Sequence, residues 1–372
     1  MKAWPVLAIV IVEALLFLAH WFIYRTLIVF FAGSLSPAQA MELRDALFLL
    51  AFSFIAAALL SFRFSNAGVN ALYKIAAVWL GFLNYFFFAA CLSWLAGFAC
   101  QISGLHSHQL RPRIAAILFT LAVLTGIYGI VNAQWIRIRR VPIHLSNLPP
   151  SWRGRTALLF SDLHLGNING LGFSRRIAYL TARLNPDIVF IPGDLFDGTK
   201  CDPDRLAAPF KQLSPPLGMY FSTGNHDEFG GAAQYTAAIT RAGVRVLTNE
   251  KFIVDGLQIL GVPYHDTTFP IRMKATLDAL RIDRGQPSIL LNHAPMRLPL
   301  VEQAGVSLQL SGHTHGGQLF PYTWFTRSIF GEFTHGLHKF GALQVYTSYG
   351  AGTWGPPMRV GTCPEIVLIT FE

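Results

Sequence analysis

The residues best equipped for chemistry stand at the ends of short apolar runs. Asp162 and His164 follow Thr156–Phe160, Asp194 follows Asp187–Pro192, and Asn225 and His226 follow Met219–Thr223. His293 follows Ser288–Asn292, and His313 and His315 follow Leu308–Ser311. Carboxylate, amide oxygen and imidazole are donors that hold divalent metals such as Mn, Fe or Zn through oxygen and nitrogen. A lone Asp at a strand end is more often a turn or helix cap than a ligand, and a lone His is usually a satisfied polar side chain. Five exits with matching chemistry in one domain reverse that balance. No thiolate joins them. Cys91, Cys100, Cys201 and Cys363 show no C-x-x-C spacing, which argues against a structural zinc site or a disulfide framework. Gly193, Gly224 and Gly312 immediately precede candidate ligands, where the chain must turn sharply or pass close to an ion.

For these exits to meet, the apolar runs must be neighbouring strands. Helical stretches at Phe173–Leu184, Asp204–Leu213, Ala232–Ala242 and Arg297–Gln303 fall between them, an alternation that implies a largely parallel, covered sheet. In an open α/β sheet the C-terminal strand ends line one crevice, and ligands bind there. Lys251–Val254 and Leu257–Gly261, joined by Asp255-Gly256, read as a hairpin with a primed turn. Strands near Leu343–Ser348 and Glu365–Phe371 suggest a second, more antiparallel sheet. The expected architecture is a two-sheet sandwich flanked by helices.

The N-terminal part reads differently. The chain of 372 residues is 52% hydrophobic and 13% charged, which excludes an ordinary soluble protein. The apolar excess lies before Trp135, where four stretches, 5–24, 46–62, 75–99 and 114–134, are long enough to cross a bilayer. The first exceeds a usual signal-peptide core and is read as an anchor. The expected organisation is a transmembrane region over 1–135, a juxtamembrane linker over 136–155 and a catalytic domain over 156–372. Lys2, Arg63, Lys74, Arg137, Arg139 and Arg140 fall on the side of the C-terminal domain, against Arg25, Arg44, Arg111 and Arg113 opposite, a bias toward a cytoplasmic domain. The net charge of +9 fits an anionic membrane surface. It does not call for nucleic acid, because no basic patch is interleaved with base-stacking aromatics. Glu13 and His20, which share a helix face, are either a polar pair hydrogen-bonded inside the bundle or an intramembrane site. His106 and His108 read as solvated loop residues. The run 320–340, rich in aromatics with Arg327, His335, His338 and Lys339, is either an excursion packed over a sheet edge or a lip facing the bilayer.

The ordered set SDLHLG, GDLFDG, GNHD, NHAP and GHTHGGQ, over Ala157 to Gly317, resembles the calcineurin-like metallophosphoesterase superfamily. The tail GTWGPPMRVGTCPEIVLI, after four spans, is similar to a membrane-anchored subgroup that includes proteins similar to UDP-2,3-diacylglucosamine pyrophosphatases. The resemblance implies two divalent ions. Asp162, His164, Asp194 and His315 would hold one, and Asp194, Asn225, His293 and His313 the other, with Asp194 bridging. It makes His226 a catalytic group near the leaving oxygen, and Asn167 would contact phosphate. Asp227 either orients His226 or is an exposed turn residue. Many soluble diacylglucosamine pyrophosphatases resemble this set but carry Arg where this chain has His226. The implied reaction is hydrolysis of a phosphodiester or pyrophosphate in a lipid-linked or nucleotide-linked substrate such as UDP-2,3-diacylglucosamine, at a bacterial inner membrane. Two alternatives stand beside it: a general phosphodiesterase or phosphatase acting on envelope material, and a non-enzymatic membrane protein with a regulatory domain. Transport is disfavoured, since beyond Glu13, His20 and Asn84 the spans offer few polar groups.

Overall fold

A computed structural model describes residues 3–103, 110–229 and 231–372. Its contacts divide the chain into two compact units, Met1–Val131 with Gly355–Met358, and Asn132–Trp354 with Arg359–Glu372.

The first unit holds four long helices: α1 (Ala3–Phe30), α2 (Pro37–Arg63), α3 (Ala67–Ile102) and α4 (Leu110–Gln134). All four are long and apolar enough to cross a membrane. They outrun the apolar stretches, because capping extends them into polar flanks. Ser36 accepts from the Gln39 amide while the Gln39 side chain takes the Ser36 N–H, a reciprocal box that starts α2. Asn66 caps α3, whose 36 residues span about 54 Å, well beyond a ~30 Å hydrocarbon core. Inside the bundle His20 is satisfied without Glu13. Its Nε2 accepts the Trp79 indole N–H at 2.9 Å, and its Nδ1 lies 2.7 Å from the Leu16 carbonyl. The expected polar pair is therefore His20 with Trp79. The carboxylate oxygens of Glu13 find no donor among the described residues. His106 and His108 lie outside the described residues.

Among the described residues the second unit contains twelve strands: β1 (Arg137–Ile143), β2 (Thr156–Leu159), β3 (Ile188–Ile191), β4 (Met219–Phe221), β5 (Arg245–Val246), β6 (Glu250–Val254), β7 (Leu257–Val262), β8 (Ser288–Asn292), β9 (Leu308–Ser311), β10 (Gly336–Phe340), β11 (Leu343–Thr347) and β12 (Glu365–Phe371). One sheet runs β1-β12-β2-β3-β4-β5 and the other β10-β11-β9-β8-β7-β6. The strands that end in candidate ligands, β2-β3-β4 and β8-β9, are parallel neighbours at the centres of the two sheets. Every residue of β3, β8 and β9 is buried, as expected of strands covered on both faces.

Alternate residues of these strands supply different layers. Leu159, Phe190, Ile259, Leu291, Leu310 and Ile369 fill the space between the sheets. Leu158, Val189 and Ile191 pack outward with Ile177 of α5 (Leu171–Leu184), and Leu260, Leu290 and Val345 pack outward with Met273 and Leu277 of the helix Pro270–Leu280. The hairpin turn is primed: Asp255 and Gly256 have φ of 46° and 82°.

Two assignments differ from the sequence expectation. Within the expected linker 136–155, Arg137–Ile143 form an edge strand in parallel register with β12, from Arg137 opposite Glu365 to Ile143 opposite Phe371. Arg137, Arg139 and Arg140 interrupt its apolar pattern in sequence, and Pro142 is tolerated because an edge strand leaves one side unpaired. The two late strands do not share a second sheet. β12 pairs antiparallel with β2 in the first sheet, whereas β11 pairs parallel with β9 in the second.

Candidate metal centre

The strand exits are zipped to one another by backbone hydrogen bonds. The amides of Asp162, His164 and Leu165 donate to the carbonyls of Gly193, Asp194 and Leu195 at 3.1, 3.1 and 2.9 Å, and Gly312 donates to His293 at 2.8 Å. The Asp162 and His164 backbones are not extended. Their φ values are 55° and 46°, and His313 and His315 repeat the pattern at 68° and 46°. Each pair thus turns twice through the left-handed region, which costs L-residues energy and persists only where the surroundings enforce it. Leu163, between the first pair, is fully buried. Glycine is obligatory beside the carboxylates. A Cβ on Gly224 would sit 2.1 Å from Asp194 Oδ1, and one on Gly312 would sit 2.1 Å from Asp162 Oδ2.

This backbone draws the candidate ligands together. His164 Nε2 lies 3.0 Å from His315 Nε2, which is 3.4 Å from Asp162 Oδ1. Asp194 Oδ2 is 3.1 Å from His293 Nε2 and 3.8 Å from His164 Nε2. His313 Nδ1 is 3.0 Å from Asn225 Oδ1. Three donor groups result, each with ligand atoms within 4.8 Å of one another: Asp162, His164 and His315; His164, Asp194 and His226; and Asp194, His293 and His313. The last group, with Asn225 on His313, contains the expected second shell. The expected first shell is spread over the other two, and His226 stands among these donors as well. Asn225, His226 and His313 are only part-buried, so the site opens on their side.

The donor set fits divalent ions. His164 and His315 present ring nitrogens to each other in a buried space, and the buried Nε2 of His293 faces the Asp194 carboxylate at 3.1 Å without an aligned hydrogen bond. Buried polar atoms left unsatisfied are costly, and a cation among these nitrogens and carboxylates would satisfy them. The electrostatics are strongly divided. Burial raises the Asp162 carboxyl above its ordinary range. Burial also acts to raise Asp194, but the His293, His164 and His226 charges outweigh it and hold this carboxyl low. Burial opposes the His293 imidazolium, yet Asp194 and Asp162 bring it up to about 9. His313 is pushed down to about 3 by burial and by His293, and His315 is lowered by burial and by the Arg359 charge. Both are thereby kept neutral, the form in which imidazole ligates metal.

Several supporting residues escaped the sequence reading. Asp227 neither orients His226 nor lies exposed. It is fully buried, and its carboxylate accepts from the amides of Asp194 (2.8 Å), Phe196 (2.9 Å) and Gly224 (2.9 Å), tying the β3 exit to the β4 exit. His226 Nδ1 instead contacts the Asp197 carbonyl at 3.0 Å, and the Asp197 carboxylate lies 3.4 Å from His164 Nδ1. The signal for Asp197 was present in GDLFDG. For Arg359 there was none. This arginine is fully buried, 44 positions after His315, and its guanidinium donates to the carbonyls of His315 (3.0 Å), Tyr349 (2.8 Å) and Gly352 (2.6 Å). Asn167 is buried, and its Nδ2 has no partner among the described residues, leaving a donor available.

A family model described as calcineurin-like phosphoesterase matches residues 156–317. An Aquifex aeolicus protein named an uncharacterized metallophosphoesterase is 31% identical over 258 residues, covering 68% of this chain and 98% of that protein. The chain belongs to the calcineurin-like phosphoesterase family. Two animal relatives, each named transmembrane protein with metallophosphoesterase domain, are also similar. The Danio rerio protein is 33% identical over 72% of this chain and 64% of its own length. The Bos taurus protein is 30% identical over 76% of this chain and 67% of its own length. The matches thus span about two thirds of each animal relative. Membership of this metal-dependent phosphoesterase family agrees with the two-sheet fold and with Asp and His groups placed to bind divalent ions.

Proposed function

We propose that this chain is a membrane-anchored hydrolase that cleaves a phosphodiester or pyrophosphate bond with two divalent ions. In this reading Asp162, His164, Asp194 and His315 hold one ion, and Asp194, Asn225, His293 and His313 hold the other. The observation that carries it is the Asp194 carboxylate, which lies 3.1 Å from His293 and 3.8 Å from His164 and so stands between the two ligand sets. Ions held there supply an activated water near neutral pH and offset the negative charge that grows on the phosphoryl oxygens.

The protein's own part is positioning and proton transfer. As the water oxygen bonds to phosphorus, the bond to the leaving oxygen breaks on the opposite side. His226, oriented through Nδ1 by the Asp197 carbonyl, would in its imidazolium form give its Nε2 proton to the leaving oxygen, while the attacking water sheds a proton to solvent, from which His226 is recharged. The Asn167 amide donates to a phosphoryl oxygen. The net reaction consumes one water. The substrate class is lipid-linked or nucleotide-linked phosphate, of which UDP-2,3-diacylglucosamine is the instance implied by the membrane-anchored subgroup. The Lys and Arg bias supports a cytoplasmic face for the catalytic unit.

The test uses purified full-length protein, stripped by chelator and reloaded separately with Mn, Fe or Zn. Hydrolysis of bis(p-nitrophenyl) phosphate is expected to vanish on stripping and return on reloading. Asp194→Asn is expected to lower it at least about a hundredfold with the fold intact by circular dichroism. Undiminished turnover in the stripped protein would sink the proposal. Release of UMP from a UDP-linked acyl sugar would identify the nucleotide-linked substrate.

A further inference from the structure

The helix Tyr322–Phe330, YTWFTRSIF, has no buried residue. Tyr322, Trp324, Phe325 and Ile329 are 50%, 69%, 66% and 58% exposed. At helical spacing these four and Ser328 share one side, while Thr323 and Phe330 lie on the other. The inner side abuts the metal loop. A Cβ on Gly317 would meet the Tyr322 carbonyl at 2.4 Å, and the Phe330 ring lies 6.2 Å from that of His313. A surface helix of a globular protein ordinarily turns its apolar stripe inward. This one turns it outward, and it carries Arg327 with no acidic residue.

The side of the site at His226 has the same character. Phe229 and Trp354, 73% and 55% exposed, approach the His226 ring edge-on at 5.6 and 5.7 Å. The Trp354 backbone is held by the Gln318 side chain at 2.9 and 3.0 Å, just beyond the metal loop. Exposed apolar surface beside both His313 and His226 in a phosphate-handling centre calls for an apolar neighbour. A bilayer suits it best. Trp, Tyr and Arg are residues of the headgroup boundary, and the chain already carries four helices able to cross a membrane, the last joined to β1 through only Trp135 and Ile136.

We propose that Tyr322, Trp324, Phe325 and Ile329, with Phe229 and Trp354 beside His226, form a membrane-seating surface, so that the metal centre takes a phosphate ester still resident in the bilayer. The inference rests on the phosphoesterase reading above and selects its lipid-linked substrate class over a water-soluble one.

The test uses the full chain in nanodiscs of phosphatidylcholine with phosphatidylglycerol. Trp324 emission is isolated as the difference between the parent and Trp324→Phe. Brominated lipids are expected to quench it and aqueous acrylamide to leave it largely unquenched. Emission open to acrylamide and blind to bromine overturns the proposal. So does shielding from both quenchers accompanied by a dimer in solution, since a second copy would then cover the face. A second measurement compares a diacylglyceryl p-nitrophenyl phosphodiester with ethyl p-nitrophenyl phosphate, two esters with one leaving group. Replacing Trp324, Phe325 and Ile329 by Ser is expected to lower kcat/KM about tenfold for the lipid ester alone. Equal loss on both esters, or loss on neither, overturns it. If the parent cleaves neither ester, the phosphoesterase reading fails, and the quenching result decides membrane seating independently.

Discussion

Around Asp194 a carboxylate serves neighbours on both sides while its own backbone is gripped by a second carboxylate, that of Asp227. The ligand candidates were legible because their types and their places at strand ends are local properties. Their supporting residues were not, because the 3.4 Å approach of Asp197 to His164, or the hydrogen bond from Arg359 to the His315 carbonyl, joins positions that only the folded chain brings near. Asp227 shows the limit most clearly. Adjacency in sequence suggested His226 as its partner, yet its oxygens turn to three backbone amides instead. Outer partners of ligating histidines typically contribute about 10–100-fold to metal affinity or activity. Asp197→Asn is accordingly expected to weaken Mn binding by about that factor, measured by titration against a metal buffer, while the thermal transition stays close to that of the parent. Unchanged affinity would show that Asp197 does not orient His164.

The elements deliver these residues through an unusual backbone. Ordinary strand alternation would place the side chains of Asp162 and His164 on one face. The actual device is a double left-handed turn, used at Asp162–His164 and again at His313–His315. The first turn needs Gly312 beside Asp162, and the Asp194 carboxylate likewise needs Gly224 beside it. Gly224→Ala is expected to force the Asp194 carboxylate aside, costing about 1–3 kcal/mol and most of the bound metal, read by calorimetry and metal analysis together. A second expectation concerns β1. Ile143 is fully buried although it lies where a linker was anticipated, so Ile143→Ala is expected to cost about 2–5 kcal/mol in denaturant unfolding of the catalytic unit. A flexible tether would show no change. The strand was hard to read because its pairing partner, β12, lies more than 200 residues later.

For the whole molecule, composition alone divides an apolar helical region from a mixed α/β unit, and the four helices able to span a bilayer follow from hydropathy. Alkaline carbonate washing is expected to leave the protein in the membrane fraction, as four spans require, and release into the supernatant would contradict the spans. Reporter fusions at the C-terminus are expected to report a cytoplasmic catalytic unit. By itself, the sequence determined the fold class, the family motifs and the chemical types of the candidate metal donors, because periodicity, hydropathy and residue type are written locally along the chain. Only the tertiary structure decided which sheet each late strand joins, which residues brace the ligands, and that the helix Tyr322–Phe330 turns its aromatic face outward. Those outcomes depend on packing and hydrogen bonds between segments far apart in sequence, where no local pattern records the partner.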